Sequence, residues 1–113
     1  MINEDYCSYE VSRLLKEKGF DYQGFDYIDF EGEVIRQDRP THQMAMKWLR
    51  KKYNIYISIQ PDFPSDKDYK MCWCWSANIL YENCISLKGY QCYIETYEEA
   101  AETAIKYCLE HLI

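Results

Sequence analysis

From Pro40 to Ile59 the chain reads PTHQMAMKWLRKKYNIYISI. The first part predicts a helix capped by Thr41, because a threonine hydroxyl can accept a hydrogen bond from a first-turn N–H group. The apolar face of this helix consists of Met44, Ala45, Trp48 and Leu49. From Ile55 onward the apolar period changes to two, which predicts a strand. The strand turns Ile55, Ile57 and Ile59 to one side.

The residues before this stretch predict a helix and a hairpin. The helix begins after Ser8 and runs to about Lys18, where Gly19 is typical of a helix end in the left-handed conformation. The hairpin covers residues 27–35, with Glu31-Gly32 at its turn. A third helix is predicted at the end of the chain, after Thr96.

That last helix carries two local signals. Thr96 and Glu99 have the spacing of a capping box, in which the threonine hydroxyl accepts from the N–H group three residues on. Glu102 and Lys106 have the spacing of an i,i+4 ion pair. Both signals favour a stable helix after Thr96.

Strands are predicted between the second and third helices. Met71–Tyr81 alternates strongly, with turns expected at Glu82-Asn83 and again at Lys88-Gly89. Short strands then cover Cys84–Leu87 and Tyr90–Ile94. One side of the long strand carries Met71, Trp73, Trp75, Ala77, Ile79 and Tyr81, and the other carries Cys72, Cys74, Ser76, Asn78 and Leu80.

The order of elements is α-(ββ)-α-β-β-β-α, which predicts an α+β fold of two layers. Short turns between consecutive strands indicate an antiparallel sheet of three to five strands, with about three helices on one face. The 113 residues suit one domain, 1–113.

Composition limits the classes of function. The formal net charge is -6, so the overall field repels nucleic acids and anionic membranes. No stretch approaches the roughly 20 apolar residues of a membrane span, and the acidic start lacks the pattern of a signal peptide. We therefore expect a cytoplasmic protein with no membrane partner.

The six cysteines are expected to be reduced in that compartment. Cys72 and Cys74 lie on one side of the same predicted strand, about 7 Å apart, and Cys84 or Cys92 on a neighbouring strand would complete a thiolate metal site. The usual zinc spacing of two intervening residues is absent. Free thiols that fill apolar gaps are the favoured interpretation, with no metal and no cofactor.

The side of the sheet away from the helices is predicted to be rich in tyrosine and thiol and poor in charge. It carries Tyr56, Ser58, Cys72, Cys74 and Tyr93. Tyrosine is favoured at protein interfaces, so these residues are the predicted surface for a protein partner or for a homodimer. The alternative is that the hairpin or a loop of the same chain covers them.

The predicted second helix carries a basic cluster of Lys47, Arg50, Lys51 and Lys52. A nucleic-acid-binding accessory protein using this cluster is one alternative function. From Thr41 onward the element order is that of a double-stranded-RNA-binding domain, which places lysines at the start of its last helix. Here Glu98, Glu99 and Glu102 stand there, so phosphates would be repelled.

Three segments carry a resemblance to a known group of proteins. They are Leu14–Asp21, Pro40–Ile57 and Tyr97–Ala100 with the residues that follow. Together they resemble short uncharacterised proteins of gut-bacterial genomes and their phages or mobile elements. The resemblance implies such an origin and carries no catalytic residues.

No spacing of residues predicts a catalytic site. The phosphate-binding glycine loop, the Gly-x-Ser-x-Gly elbow and the His-Glu-x-x-His helix are all missing from the sequence. The first hypothesis is therefore a small non-enzymatic binding or assembly module. A small enzyme with a cysteine or acidic site is the remaining alternative, because the partners of such a site meet only in the fold.

Overall fold

A computed structural model describes residues 6–63 and 70–113 of the chain. Three helices and five strands follow one another in the predicted order. They are α1 (Tyr9–Glu17), β1 (Phe25–Ile28), β2 (Val34–Gln37), α2 (His42–Tyr53), β3 (Ile55–Asp62), β4 (Cys72–Leu80), β5 (Ile85–Ile94) and α3 (Tyr97–His111). The α+β fold is thus confirmed, and no helix among the described residues is long and apolar enough to cross a membrane.

The strands form two separate antiparallel sheets. Among the described residues β1 pairs only with β2, and the turn between them includes Gly32, whose N–H donates to the Asp29 carbonyl over 3.1 Å. The predicted hairpin is confirmed. The second sheet has the order β3-β4-β5, with Ile55 opposite Ile79 and Asp62 opposite Cys72. The prolines and aspartates of Gln60–Lys70 predict a loop, but β3 extends to Asp62, and residues 64–69 of that segment lie outside the described residues.

Each helix begins at the predicted cap. Ser8, Thr41 and Thr96 each accept a hydrogen bond from the N–H group three residues on, at 3.1 Å in all three cases. α2 ends at Asn54 in the left-handed conformation, with φ 56°, and β3 starts at the next residue. The helix and strand at mid-chain are therefore joined without a loop.

The buried face of α2 differs from the predicted one. Met44 is exposed and Trp48 is only half-buried, whereas His42, Ala45, Met46 and Leu49 are buried. These four positions have the i, i+3, i+4, i+7 spacing of a single helix face. The prediction was wrong at Met44, because the helix turns His42 and Met46 inward, and neither residue was part of the predicted apolar face.

β5 also differs from the prediction. Lys88-Gly89 is not a turn, since β5 is continuous and has a register irregularity at this point. A Cβ on Gly89 would lie 2.5 Å from the Tyr107 ring, and the Tyr107 hydroxyl donates to the Lys88 carbonyl over 2.8 Å. Gly89 is therefore required for the close approach of α3 to the sheet. Close approach of a neighbouring element is a common reason for glycine within a strand.

The core lies between the second sheet and the helices. α3 is its centre, with a buried face of Ala100, Ala101, Ala104, Ile105, Cys108 and Leu109. The alanines are small enough to let α1 and α2 approach α3 closely, and Leu15 and Leu49 pack there fully buried. Trp75 and Ile55 cover the same core from the sheet.

Candidate functional site

The side of the second sheet that faces away from the helices is here named the outer face. Residues directly opposite each other on neighbouring strands lie on one side of a sheet, so the register assigns its members. They are Tyr56, Ser58, Gln60 and Asp62 from β3, Cys72, Cys74, Ser76, Asn78 and Leu80 from β4, and Ile85, Leu87, Tyr90 and Cys92 from β5. The residues between them belong to the inner face, except the exposed Lys88, which lies in a β-bulge beside Leu87 and has no residue opposite it on β4.

The helices cover only the inner face. The rings of Trp73 and Trp75 lie 5.4 Å and 5.3 Å from those of Tyr97 and Tyr107 on α3. On the outer face, by contrast, Tyr90 and Ile85 are exposed, and Leu87 has 57% of its surface in contact with solvent. Within residues 6–63 and 70–113, no helix packs against this side.

The outer face is nearly free of charge. Asp62 is the one charged side chain among its members. The uncovered side of an antiparallel sheet ordinarily carries polar and charged residues that interact with water. Apolar side chains are instead concentrated on β5 and the end of β4, where Leu80, Ile85, Leu87 and Tyr90 are all exposed.

The structure brings four of the predicted interface residues to this face. Tyr56 is exposed, and Ser58 and Cys74 are half-buried. Cys72 points to the outer side but keeps only 8% exposure. Tyr93 is exposed and lies in a β-bulge with φ 64°, a left-handed conformation that is uncommon for a bulky residue.

One cluster of donor atoms lies on the outer face. A carboxylate oxygen of Asp62 and the sulfurs of Cys74 and Cys92 all lie within 4.8 Å of one another. The Cys74 thiol donates to Oδ2 of Asp62 over 3.7 Å. Burial, followed by the hydrogen bond and charge of Cys92 and the charge of Asp62, raises the pKa of Cys74 to about 12. The carboxylate and the two thiols come from three different strands, β3, β4 and β5.

A second cluster joins the three helices beneath the inner face. Nε2 of His42 lies 2.7 Å from Oε2 of Glu102, and the N–H group of Ser8 donates to Oε1 of Glu102 over 3.0 Å. The sulfur of Cys7 lies within 4.8 Å of both groups and donates to the Thr41 carbonyl over 3.8 Å. Glu102 therefore fixes the starts of α1 and α2 against α3.

The electrostatics of this second cluster argue against nucleophilic chemistry. Burial raises the pKa of the fully buried Cys7 thiol to about 12, and the charge of Glu102 adds to the effect. Reactive cysteines have a lowered pKa and some exposure. Burial alone would raise the pKa of Glu102, but hydrogen bonds from His42 and Ser8 outweigh it and hold the pKa below its ordinary value.

Sequence reasoning missed the pairing of His42 with Glu102. The two residues are 60 positions apart and share no local motif. The predicted ion pair between Glu102 and Lys106 was wrong, because Lys106 instead bonds Glu10 of α1 at 2.9 Å. One usable signal was a histidine directly after the cap of α2, on the same face as Ala45 and Leu49.

The basic cluster lies on the solvent side of α2. Lys47, Lys51 and Lys52 are exposed and Arg50 is half-buried. The Nζ atom of Lys52 lies 5.4 Å from the centre of the Trp48 ring, within the range of a cation–π contact. These side chains complement the carbonyl end of the helix, which is the ordinary place for positive charge.

The β1–β2 hairpin is a second exposed apolar region. Phe30 at its turn is 94% exposed, and Ile28 and Val34 are also exposed. Asp26, Glu31 and Glu33 on the same hairpin are exposed as well. Unlike the outer face, the hairpin thus combines apolar side chains with a concentration of negative charge.

Comparison of the chain with protein-family models, curated proteins and solved structures gives no match.

Proposed function

We propose that this protein is a small non-enzymatic assembly module that forms a homodimer through the outer face of its three-stranded sheet. The observation that carries the proposal is the combination of exposed apolar residues with a single charged member, Asp62, on a face that the described helices leave open. Two such sheets can pack face to face at about 10 Å, as in β-sandwiches.

The charge distribution favours a second copy as the partner. A two-fold contact places the same patch of both copies together, so the patch must be self-complementary. The chain has a net charge of -6, and two copies would repel each other across most of their surface. The outer face is an exception because it is almost uncharged, whereas the acidic hairpin would place like charges opposite each other.

The position of the apolar residues also favours this contact. Ile85, Leu87 and Tyr90 lie on β5, at one margin of the face. Tyrosine is enriched among the residues that contribute most to the binding free energy of interfaces, and burial of the aliphatic side chains would add hydrophobic stabilisation. In a symmetric dimer these three residues would meet their counterparts, and Asp62 on β3 would lie toward the rim.

The test is a pair of charge substitutions in reducing buffer, with solution mass as the measurement. Leu87→Glu and Tyr90→Lys should each convert a dimer to a monomer, because each would bury an unpaired charge in the contact. Far-ultraviolet circular dichroism of both variants should match the wild type, since neither side chain lies in the core.

A matched control is available on the hairpin. Phe30 is at least as exposed as Leu87 and equally apolar, so Phe30→Glu makes the same chemical change at a different surface. The proposal expects Phe30→Glu to remain a dimer. A monomeric Phe30→Glu beside a dimeric Leu87→Glu would transfer the interface to the hairpin and contradict the proposal.

A further inference from the structure

The outer face contains a set of side chains whose chemistry goes beyond protein contact. Asp62, Cys74 and Cys92 come from three adjacent strands, and their donor atoms lie within 4.8 Å of one another. Cys74 is on the central strand and contacts both others, with its sulfur 3.7 Å from the Asp62 carboxylate. Three potential ligands on a rigid sheet are more closely fixed than ligands on loops.

A β-bulge contributes to the position of Cys92. Trp75 is opposite Gln91 and Trp73 is opposite Ile94, so Cys74 faces two residues of β5 instead of one. Tyr93 absorbs the extra residue by taking a left-handed conformation, at a cost of roughly 1–2 kcal/mol for a residue with a side chain. Bulges of this kind re-aim side chains and are common beside functional sites.

We propose that Asp62, Cys74 and Cys92 bind a zinc ion, with water at the fourth position. Two thiolates and one carboxylate form a donor set that zinc accepts, at about 2.3 Å from sulfur and about 2.0–2.2 Å from oxygen. Two thiolates on one tetrahedral zinc lie about 3.8 Å apart, so the cluster needs to contract by about 1 Å at most. Calcium and magnesium are poor candidates because they prefer oxygen ligands.

Binding of the ion is balanced by release of protons. Zinc displaces the protons of the two thiols to solvent, and the side chain of Asp62 supplies the third ligand. The bound site carries two thiolates and one carboxylate against the two positive charges of the ion. In the monomer the outer face is open on its solvent side, which provides a route for the metal and the departing protons.

The cluster of Cys7, His42 and Glu102 is the weaker candidate for a metal. Both oxygens of Glu102 already have partners in Ser8 and His42, and the Cys7 sulfur is fully buried. A metal that took Nε2 of His42 and Oε2 of Glu102 as ligands would have to break the hydrogen bond between these two atoms. This cluster therefore serves as an internal control for the outer site.

The experiment titrates the reduced, metal-free protein with Co²⁺ as a spectroscopic substitute for zinc, followed by displacement with Zn²⁺. A near-ultraviolet thiolate-to-cobalt charge-transfer band that saturates at one equivalent per chain is expected. Cys74→Ser and Cys92→Ser should each weaken binding by more than about 100-fold, and Asp62→Asn by about 10-fold or more.

Two variants serve as controls, one that removes a cysteine outside the proposed site and one that changes the inner cluster. Cys84→Ser removes an exposed thiol near the other end of β5, and His42→Gln alters the inner cluster. Neither should change the affinity for Co²⁺. Absence of the thiolate band in the wild type, or its loss in His42→Gln instead of Cys74→Ser, would overturn the proposal. The titration does not depend on dimer formation, so failure of the proposed dimer leaves its outcome readable.

Discussion

The two sides of β4 come from alternate residues of one strand and differ in every physical respect. Trp73, Trp75 and Ala77 face α3, and their shapes are matched by helix residues such as Tyr107. Cys72, Cys74 and Ser76 face outward, where no described helix meets them. The inner side packs against helices of the same chain, whereas the outer side carries little charge, contacts no described helix and is suited to a partner outside the chain.

The strongest test of this difference removes a large side chain from the inner side. Trp75→Ala should lower the free energy of unfolding by about 3–5 kcal/mol, because it leaves a cavity beneath α3. Chemical denaturation followed by circular dichroism measures the change. Trp75→Phe is the matched control, and it should cost less than about 1.5 kcal/mol because it keeps most of the volume.

A smaller loss of stability is expected where the helices are joined beneath the inner side. Glu102→Ala should lower the free energy of unfolding by about 2–3 kcal/mol, since it leaves the Ser8 N–H and His42 without an acceptor. Glu110→Ala on the same helix removes only an exposed contact with Lys106 at 3.8 Å, so it should cost less than about 0.5 kcal/mol. Equal losses for the two variants would contradict the role assigned to Glu102.

The same carboxylate gives stability a defined pH dependence. Its pKa in the folded state is lower than its ordinary value of 4.5. A group with a lowered folded pKa stabilises the protein fully above the unfolded pKa and loses that contribution as pH falls through the folded pKa. Stability of the wild type should therefore fall below about pH 4.5 more steeply than that of Glu102→Ala. The measurement is the melting temperature at a series of pH values. An equal fall of the melting temperature with decreasing pH in the two proteins would contradict this assignment.

The outer side should respond differently to substitution. In a concentration range where the protein is monomeric, Leu87→Glu should change the free energy of unfolding by less than about 0.5 kcal/mol, because Leu87 is exposed. Denaturation at two protein concentrations separates folding from association. A large loss at low concentration would mean that the outer side belongs to the core of the monomer.

The smallest effect is expected at the basic cluster of α2. The double substitution Lys47→Ala and Lys51→Ala should leave both stability and solution mass unchanged. Retention of single- or double-stranded oligonucleotides by the wild type at low salt, lost on this substitution, would revive the nucleic-acid alternative. Fluorescence anisotropy with labelled oligonucleotides is the measurement.

Local signals in the sequence were sufficient for the order of elements and the two sides of β4. The caps at Ser8, Thr41 and Thr96 each involve residues three apart, and side-chain alternation in a strand is a property of neighbours. The fold class follows mainly from these helix caps and from the alternation of side chains along the strands. For the same reason, the hairpin turn at Gly32 could be predicted without knowledge of the rest of the chain.

Features that depend on distant residues were missed. Gly89 was predicted to be a turn residue, but glycine is required there because the ring of Tyr107 on α3 leaves no room for a Cβ atom. His42 had no recognisable partner because Glu102 is 60 residues away. Cys84 and Cys92 were both named as neighbours of Cys74, and the choice of Cys92 could not be made because it depends on a bulge and register is not determined by one sequence. Each of these cases requires the packed fold.

The central claim is that the outer face binds a second copy of the chain. Light scattering behind a sizing column, in reducing buffer, measures it most directly. The wild type and Phe30→Glu should both give twice the 13.7 kDa mass of one chain, while Leu87→Glu should give the mass of one chain. A wild type that stays at the mass of one chain up to the highest soluble concentration would contradict the claim.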